Sequence, residues 1–242
     1  FDRPGFGHSS RPRDRLWTPA AQAALLHAAL TKLGLAEPAI VLGHSMGTMV
    51  AVAYALDHPA AVQGLVLLGG YYFPTARIDA LLTAPVALPV LGDAMRYTVT
   101  ALASRAVLNK AVSAMFMPRA VPGRFYSAVP RELMLRPIQL RANAEDAAFM
   151  IPAAAVARTR HMALNRLPVM IMAGADDLVV DPEAHSMRLH DELPHSELRL
   201  VPGTGHMVHY VAQDAITEVV ADMTLQTEPH HQRDGTASTD AQ

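Results

Sequence analysis

The pentapeptide Gly43-His44-Ser45-Met46-Gly47 places a hydroxyl between small residues, where an apolar run gives way to a helix-forming one. A serine hydroxyl attacks a carbonyl near neutral pH only if an imidazole takes its proton, and that imidazole needs a carboxylate to fix its tautomer. Candidate partners lie downstream. His206 sits in Pro202-Gly203-Thr204-Gly205-His206-Met207, a glycine-bracketed loop directly after an alternating run at 198–201. Of the twelve histidines, only His206 combines a strand's C-terminal end with that loop chemistry. Asp176 and Asp177 follow the apolar run ending at Ala173, and either one can reach the histidine. His44 is read as lining the turn, and His209 as facing the pocket or, in the more ordinary reading, solvent. The plainer roles are that Ser45 caps the next helix and that the aspartates form turns. A cap, however, does not require glycine on both sides. In a strained strand-to-helix turn the Ser45 hydroxyl stands at a helix N-terminus, and the Met46 backbone N–H points at the oxygen of an attacked carbonyl.

The elements that must position these groups alternate between strand and helix. Thr18 and Pro19 open a helix on which Leu26, Leu30 and Leu33 share a face, and Gly34 closes it. Ala39-Ile40-Val41-Leu42, bounded by Pro38 and Gly43, reads as a strand buried on both faces. A helix from Met46 to Asp57, stopped by Pro59, and a strand over 64–68 complete a βαβ unit, which implies a right-handed crossover in a parallel sheet. Residues 169–173 give another buried strand, and the alternation at 198–201 gives a half-exposed edge. Asp181 caps a helix predicted over 182–194, and a last helix over 208–225 carries Val211, Ala215, Val219 and Met223 at steps of four.

Residues 71–166 interrupt this alternation. Prolines at 74, 85, 89, 118, 122, 130, 137 and 152 are expected to cut the segment into short helices that form a lid. Met95, Met115, Met117, Met134, Met150 and Met162 offer adaptable apolar surface, either for a pocket or for packing the lid on the core. The expected organisation is a core of 1–70 and 167–226, a lid of 71–166 and a disordered tail of 227–242, whose His230 and His231 are solvated residues rather than metal ligands.

Composition bounds the partners. The chain has 242 residues, 51% of them hydrophobic and 17% charged, enough for one sizeable core. A net charge of −2 offers no electrostatic footprint for nucleic acid or an anionic membrane. With no cysteine there is no disulfide framework, no thiolate zinc site and no cysteine nucleophile, and a reducing, cytoplasmic compartment fits. No metal or other cofactor is called for. The apolar stretch at 80–103 is broken by Pro85, Pro89, Asp93 and Arg96, so no transmembrane helix is expected.

Taken together, Phe1-Asp2-Arg3-Pro4-Gly5-Phe6-Gly7, Gly43 through Gly47, Gly174 through Asp177 with Pro182, and Gly203-Thr204-Gly205-His206-Met207 resemble the α/β-hydrolase superfamily, in its branch with an inserted helical lid. The resemblance implies a parallel-sheet α/β-hydrolase fold and a catalytic set in the order Ser45, Asp177, His206. The family pattern puts the acid three residues after Gly174, which selects Asp177 over Asp176, and Met46 supplies an oxyanion-hole N–H. It also implies hydrolysis of a small apolar carboxylic ester or related acyl compound through an acyl-serine. Relatives with the same residues cleave carbon–carbon bonds or act as cofactor-free perhydrolases, and a third alternative is a catalytically incomplete ligand-binding protein. In the family, further strands and a second oxyanion donor precede a segment like Phe1 to Gly7, here read as the end of a strand. The expectation is an N-terminally truncated fold with an unpaired edge at 39–42, marginal stability and weak activity.

Overall fold

The structure is a computed structural model describing residues 1–35, 37–76 and 78–227; of the expected tail of 227–242, Thr227 ends the last helix, and the rest, with His230 and His231, lies outside the described residues. Four strands, β1 (Ala39–His44), β2 (Val62–Leu68), β3 (Val169–Gly174) and β4 (Glu197–Val201), form one parallel sheet in the order β1-β2-β3-β4. In a parallel sheet every strand's C-terminal end falls on the same edge. The segments after β1, β3 and β4, which carry Ser45, Asp177 and His206, therefore meet there.

Alternation within β2 divides the core into two layers. Leu65 and Leu67 face a layer that includes Val50, Tyr54, Phe73 and Leu189. Val66 and Leu68 face the opposite layer, with Met170, Met172, Val219 and Met223. Burial on both faces explains why β2 and β3 read as unbroken apolar runs. β1 has the same apolar sequence but a different environment. Among the described residues its one strand neighbour is β2, and Leu42 is 48% exposed, so the expectation of burial on both faces is corrected.

Helices α1 (Pro19–Lys32) and α2 (Met46–Asp57) pack together on the first layer. Thr18 caps α1, its Oγ1 accepting from the Ala21 N–H at 3.2 Å. At the other end Gly34, with φ +74°, lets the Leu35 N–H turn back to the Leu30 carbonyl at 3.0 Å. Leu26 and Leu30 pack inward as expected, whereas Leu33 is exposed because it caps the helix instead of continuing its face.

Between β2 and β3 lie α3 (Ile78–Ala87), α4 (Leu91–Tyr97), α5 (Val99–Phe116), α6 (Arg124–Ala128), α7 (Arg131–Met134) and α8 (Pro137–Arg158). Pro85 and Pro152 fall inside α3 and α8 and do not end them. None of the helices among the described residues is long and apolar enough to cross a membrane.

Phe1 to Gly7 forms turns, not the end of a strand, with Gly5 and Gly7 at positive φ. The segment is tied to α8 by charge. Arg3 pairs with Asp146 at 2.6 Å, and the buried Arg11 pairs with Glu145 at 2.6 Å and Asp146 at 3.0 Å. Removing one member of such a buried group typically costs about 3–5 kcal/mol, because the partner charge is left uncompensated.

Two helix boundaries differ from expectation. Asp181 does cap its helix, accepting from Glu183 N–H at 2.9 Å, but residues 183–187 form a wide π turn before α9 (Arg188–Glu192). That turn carries the buried His185, whose Nδ1 accepts from the Tyr72 and Phe73 N–H groups. The last helix, α10 (Gln213–Thr227), begins after a 3-10 turn at 208–210, leaving Val211 partly exposed between them.

Candidate active site

β1 leads directly into Ser45, whose backbone at φ 53° and ψ −125° lies where a side chain is rarely tolerated. Such a conformation costs on the order of 1–3 kcal/mol and persists only when its surroundings hold it. Here the Ser45 N–H is bound to the Leu68 carbonyl at the end of β2, at 2.9 Å. Passage of the chain through the turn depends on Gly43, because a Cβ there would stand 2.6 Å from the Gly47 carbonyl oxygen. Ser45 makes no side-chain cap to α2. Its carbonyl accepts from the N–H and the hydroxyl of Thr48, at 3.0 and 2.6 Å, and its own hydroxyl is left for other work.

That hydroxyl lies 2.8 Å from Nε2 of His206. On the other side of the ring, Nδ1 lies 2.8 Å from Oδ2 of Asp177. A carboxylate can only accept, so Nδ1 carries the proton, Nε2 is the acceptor and the Ser45 O–H donates to it. Asp177 is itself fixed: its Oδ1 accepts the N–H groups of Val179 at 2.8 Å and Val180 at 3.0 Å. Both His206 and Asp177 are buried, whereas Ser45 is partly open to solvent. Asp176 is exposed, and its N–H bonds the Thr204 carbonyl at 3.0 Å, a turn role. The structure therefore brings Ser45, Asp177 and His206 together and leaves Asp176 outside.

The histidine loop is braced from two directions. A Cβ on Gly174 would come 2.2 Å from the carbonyl oxygens of Thr204 and Gly205, so the loops after β3 and β4 touch through a glycine. From the end of α5 and the turn after it, the Met115 carbonyl accepts the Met207 N–H at 3.2 Å, and Nε of Arg119 donates to the Gly203 carbonyl at 2.7 Å.

His44 has a role that its type and position in the sequence did not disclose. Its Nε2 is 2.9 Å from the main-chain carbonyl of His206, and its ring lies between those of His206 and His209, with centroids 4.9 and 4.4 Å away. Burial, followed by the neighbouring His206 and His209, pushes the His44 pKa down to about 3. The ring is therefore neutral near pH 7, and an Nε2–H donates to the carbonyl. His209 is partly buried: it packs edge-on against His44, and burial lowers its pKa.

Met46 opens α2 and joins Met49, Tyr71, Met150 and Val180 in an apolar cluster beside Ser45. Of the six methionines in the insert, Met150 reaches this cluster. Met115 and Met134 pack around Phe116 and Phe125, and Met117 and Met162 are exposed.

Comparison with known proteins agrees with this architecture. A curated relative named "Putative carbamate hydrolase RutD" from Caulobacter sp. (strain K31) is 29% identical over 233 residues, covering 91% of this chain and 77% of its own. One of the same name from Escherichia coli O26:H11 is 29% identical over 215 residues, covering 85% and 73%. Among solved structures, an alpha/beta hydrolase fold protein from Burkholderia ambifaria superposes with a TM-score of 0.73 at 24% identity, covering 91% of this chain and 78% of that one. A thermophilic esterase from Thermogutta terrifontis gives 0.65 at 19% identity, covering 94% and 79%. The sequence profile of the alpha/beta hydrolase fold family matches residues 1–213, and the chain belongs to that family.

Proposed function

We propose that this chain is a serine hydrolase cleaving a carboxylic ester or related acyl compound through an acyl-serine, with Ser45 as nucleophile, His206 as general base and Asp177 as the carboxylate that orients it. The observation that carries the reading is the pair of 2.8 Å hydrogen bonds joining Ser45 Oγ, the two His206 nitrogens and Asp177 Oδ2. His206 takes the hydroxyl proton as Oγ attacks the carbonyl carbon, then returns it to the leaving group; water repeats the sequence to release the acid. Asp177 stabilises the imidazolium formed in between. The Met46 N–H, first in α2, faces the developing oxyanion with the positive end of the helix dipole behind it. The helices between β2 and β3 serve as a lid, and Met150 lends apolar surface to the acyl group. Carbamates, the compounds in the relatives' printed name, fall within this substrate class, since attack on a carbamate carbonyl uses the same steps.

The test is a fluorophosphonate probe followed by peptide mass spectrometry, with turnover of p-nitrophenyl butyrate and of a phenyl carbamate measured in parallel. Labelling on Ser45, and loss of turnover to background in Ser45→Ala, are the expected results. An adduct on another serine, or full turnover by Ser45→Ala, would remove the proposal.

A further inference from the structure

Arg141, Glu145, Phe149, Ala153 and Ala157 recur at every fourth position and so form one row that slants around α8. At 1.5 Å per residue this stripe is about 24 Å long. Two cavities follow one another beneath it. The first, about 290 Å³, is lined by Arg141, Glu145 and Phe149 together with Arg13, Arg15 and Arg96. The second, about 280 Å³, is lined by Phe149, Ala153 and Ala157 together with Met49, Val52 and Ala53 of α2. Phe149 belongs to both.

The two spaces differ in chemistry. The second has mostly aliphatic and aromatic walls, and its charged residues, Arg160 and Asp57, neutralise each other at 2.7 Å. The first also has apolar walls, among them Pro12, Leu16, Leu88, Pro89 and Phe149, but adds four guanidiniums and a single carboxylate. Around it, among the described residues, Arg3, Arg11, Arg13, Arg96 and Arg141 share three carboxylates: Asp93, Glu145 and Asp146. Asp93 serves both Arg13 and Arg96, and Glu145 holds Arg11 at 2.6 Å but Arg141 only at 3.4 Å. Arg15 pairs with its own neighbour, Asp14. Arg96 and Arg141 are 3% and 7% exposed, and Nε of each lacks a hydrogen-bond partner. Burial first, and then Arg13, Arg96 and Arg11, lower the Arg141 pKa against the pull of Glu145. Positive charge held this way, in excess and, at Arg96 and Arg141, out of water, is stabilised by an anion whose oxygens meet guanidinium groups.

We propose that the α8 stripe is a binding site for an anionic amphiphile, with a carboxylate or phosphate head among Arg13, Arg96 and Arg141 and an alkyl chain passing Phe149 into the cavity between α2 and α8. Ser45 lines neither space, and the binding does not depend on the proposed reaction. A single ligand fits the two spaces because they share the wall residue Phe149 and the four-guanidinium cluster lines only the first of them.

The experiment is isothermal titration calorimetry on the full chain carrying Ser45→Ala, which prevents turnover, with decanoate, decyl phosphate, decanol, butyrate and inorganic phosphate, all below micellar concentrations. Decanoate or decyl phosphate is expected to bind one to one, at least tenfold tighter than decanol, butyrate or inorganic phosphate. The tighter of the two identifies the head. Arg13 is 55% exposed, so Arg13→Ser should fold; it should weaken both anionic amphiphiles about tenfold and leave decanol unchanged. Ala153→Trp fills the tail cavity and should weaken every chain-bearing ligand, with Ala157→Met as the milder variant should Ala153→Trp prove unfolded by circular dichroism. Equal affinity for decanol and the anionic amphiphiles, or undiminished binding in folded Arg13→Ser or in the folded tail-cavity variant, would overturn the proposal.

Discussion

The Nε2–H of His44 donates to the main-chain carbonyl of His206 across 2.9 Å, so the residue just before Ser45 holds in place the residue to which Ser45 is bonded. In His44→Phe this donor is lost. A neutral hydrogen bond is worth about 0.5–1.5 kcal/mol, and kcat is expected to fall up to about tenfold with KM little changed. His44→Gln keeps a donor and should recover part of the loss. Equal kcat per folded molecule in wild type and His44→Phe would assign His44 to packing alone.

Asp177→Asn should lower kcat by about 10⁴, since an amide in place of the carboxylate allows the wrong ring tautomer. Asp176→Asn should change kcat by less than about twofold, because Asp176 is exposed and bonds the Thr204 carbonyl through its backbone N–H. Steady-state kinetics on the two variants, compared side by side, decide the matter; a larger loss at Asp176 would reverse the assignment.

The low pKa of His44 has a consequence for stability. The unfolded ring titrates near 6.5 and the folded one near 3, so between these values the unfolded chain binds more protons. Stability is then fully present above about pH 6.5 and declines as pH falls toward 3, by at most about 1.4 kcal/mol per pH unit for this group. His161 and His209, both lowered chiefly by burial, act with the same sign. Urea unfolding at pH 7 and pH 5 should show a smaller difference in His44→Gln than in wild type; an unchanged difference would separate His44 from the effect.

Gly43→Ala should destabilise the protein by about 1–3 kcal/mol, the usual cost of overpacking, because the new methyl group would stand 2.6 Å from the Gly47 carbonyl oxygen. Gly47→Ala meets no atom within 4 Å and should cost less. Thermal melts of the two variants make the comparison, and equal losses would show that the turn relaxes around a side chain.

Much of the fold could be read from side-chain pattern because β2 and β3 are buried on both faces and α2 lies between two clear breaks. β1 carries an equally apolar sequence at the sheet's edge, and pattern reports a strand's composition, not its neighbours. Element ends were the weakest point. Leu33 and Val211 continue a periodicity that capping and a 3-10 turn interrupt. For the site, loop chemistry singled out His206, but Asp176 and Asp177 are adjacent and of one type. Only the family resemblance separated them, and the structure turns Asp177 alone toward the ring. The contact between His44 and His206 spans 162 positions and leaves no local trace in the sequence.

The bonds from Met115 to Met207 and from Arg119 to Gly203 make the end of α5 and the histidine loop one mechanical unit. Were α5 to swing away from the sheet, it would have to let go of the loop first, or drag His206 off Ser45 as it went. Motion of this part of the insert and the 2.8 Å contact between Ser45 and His206 are thereby tied to each other.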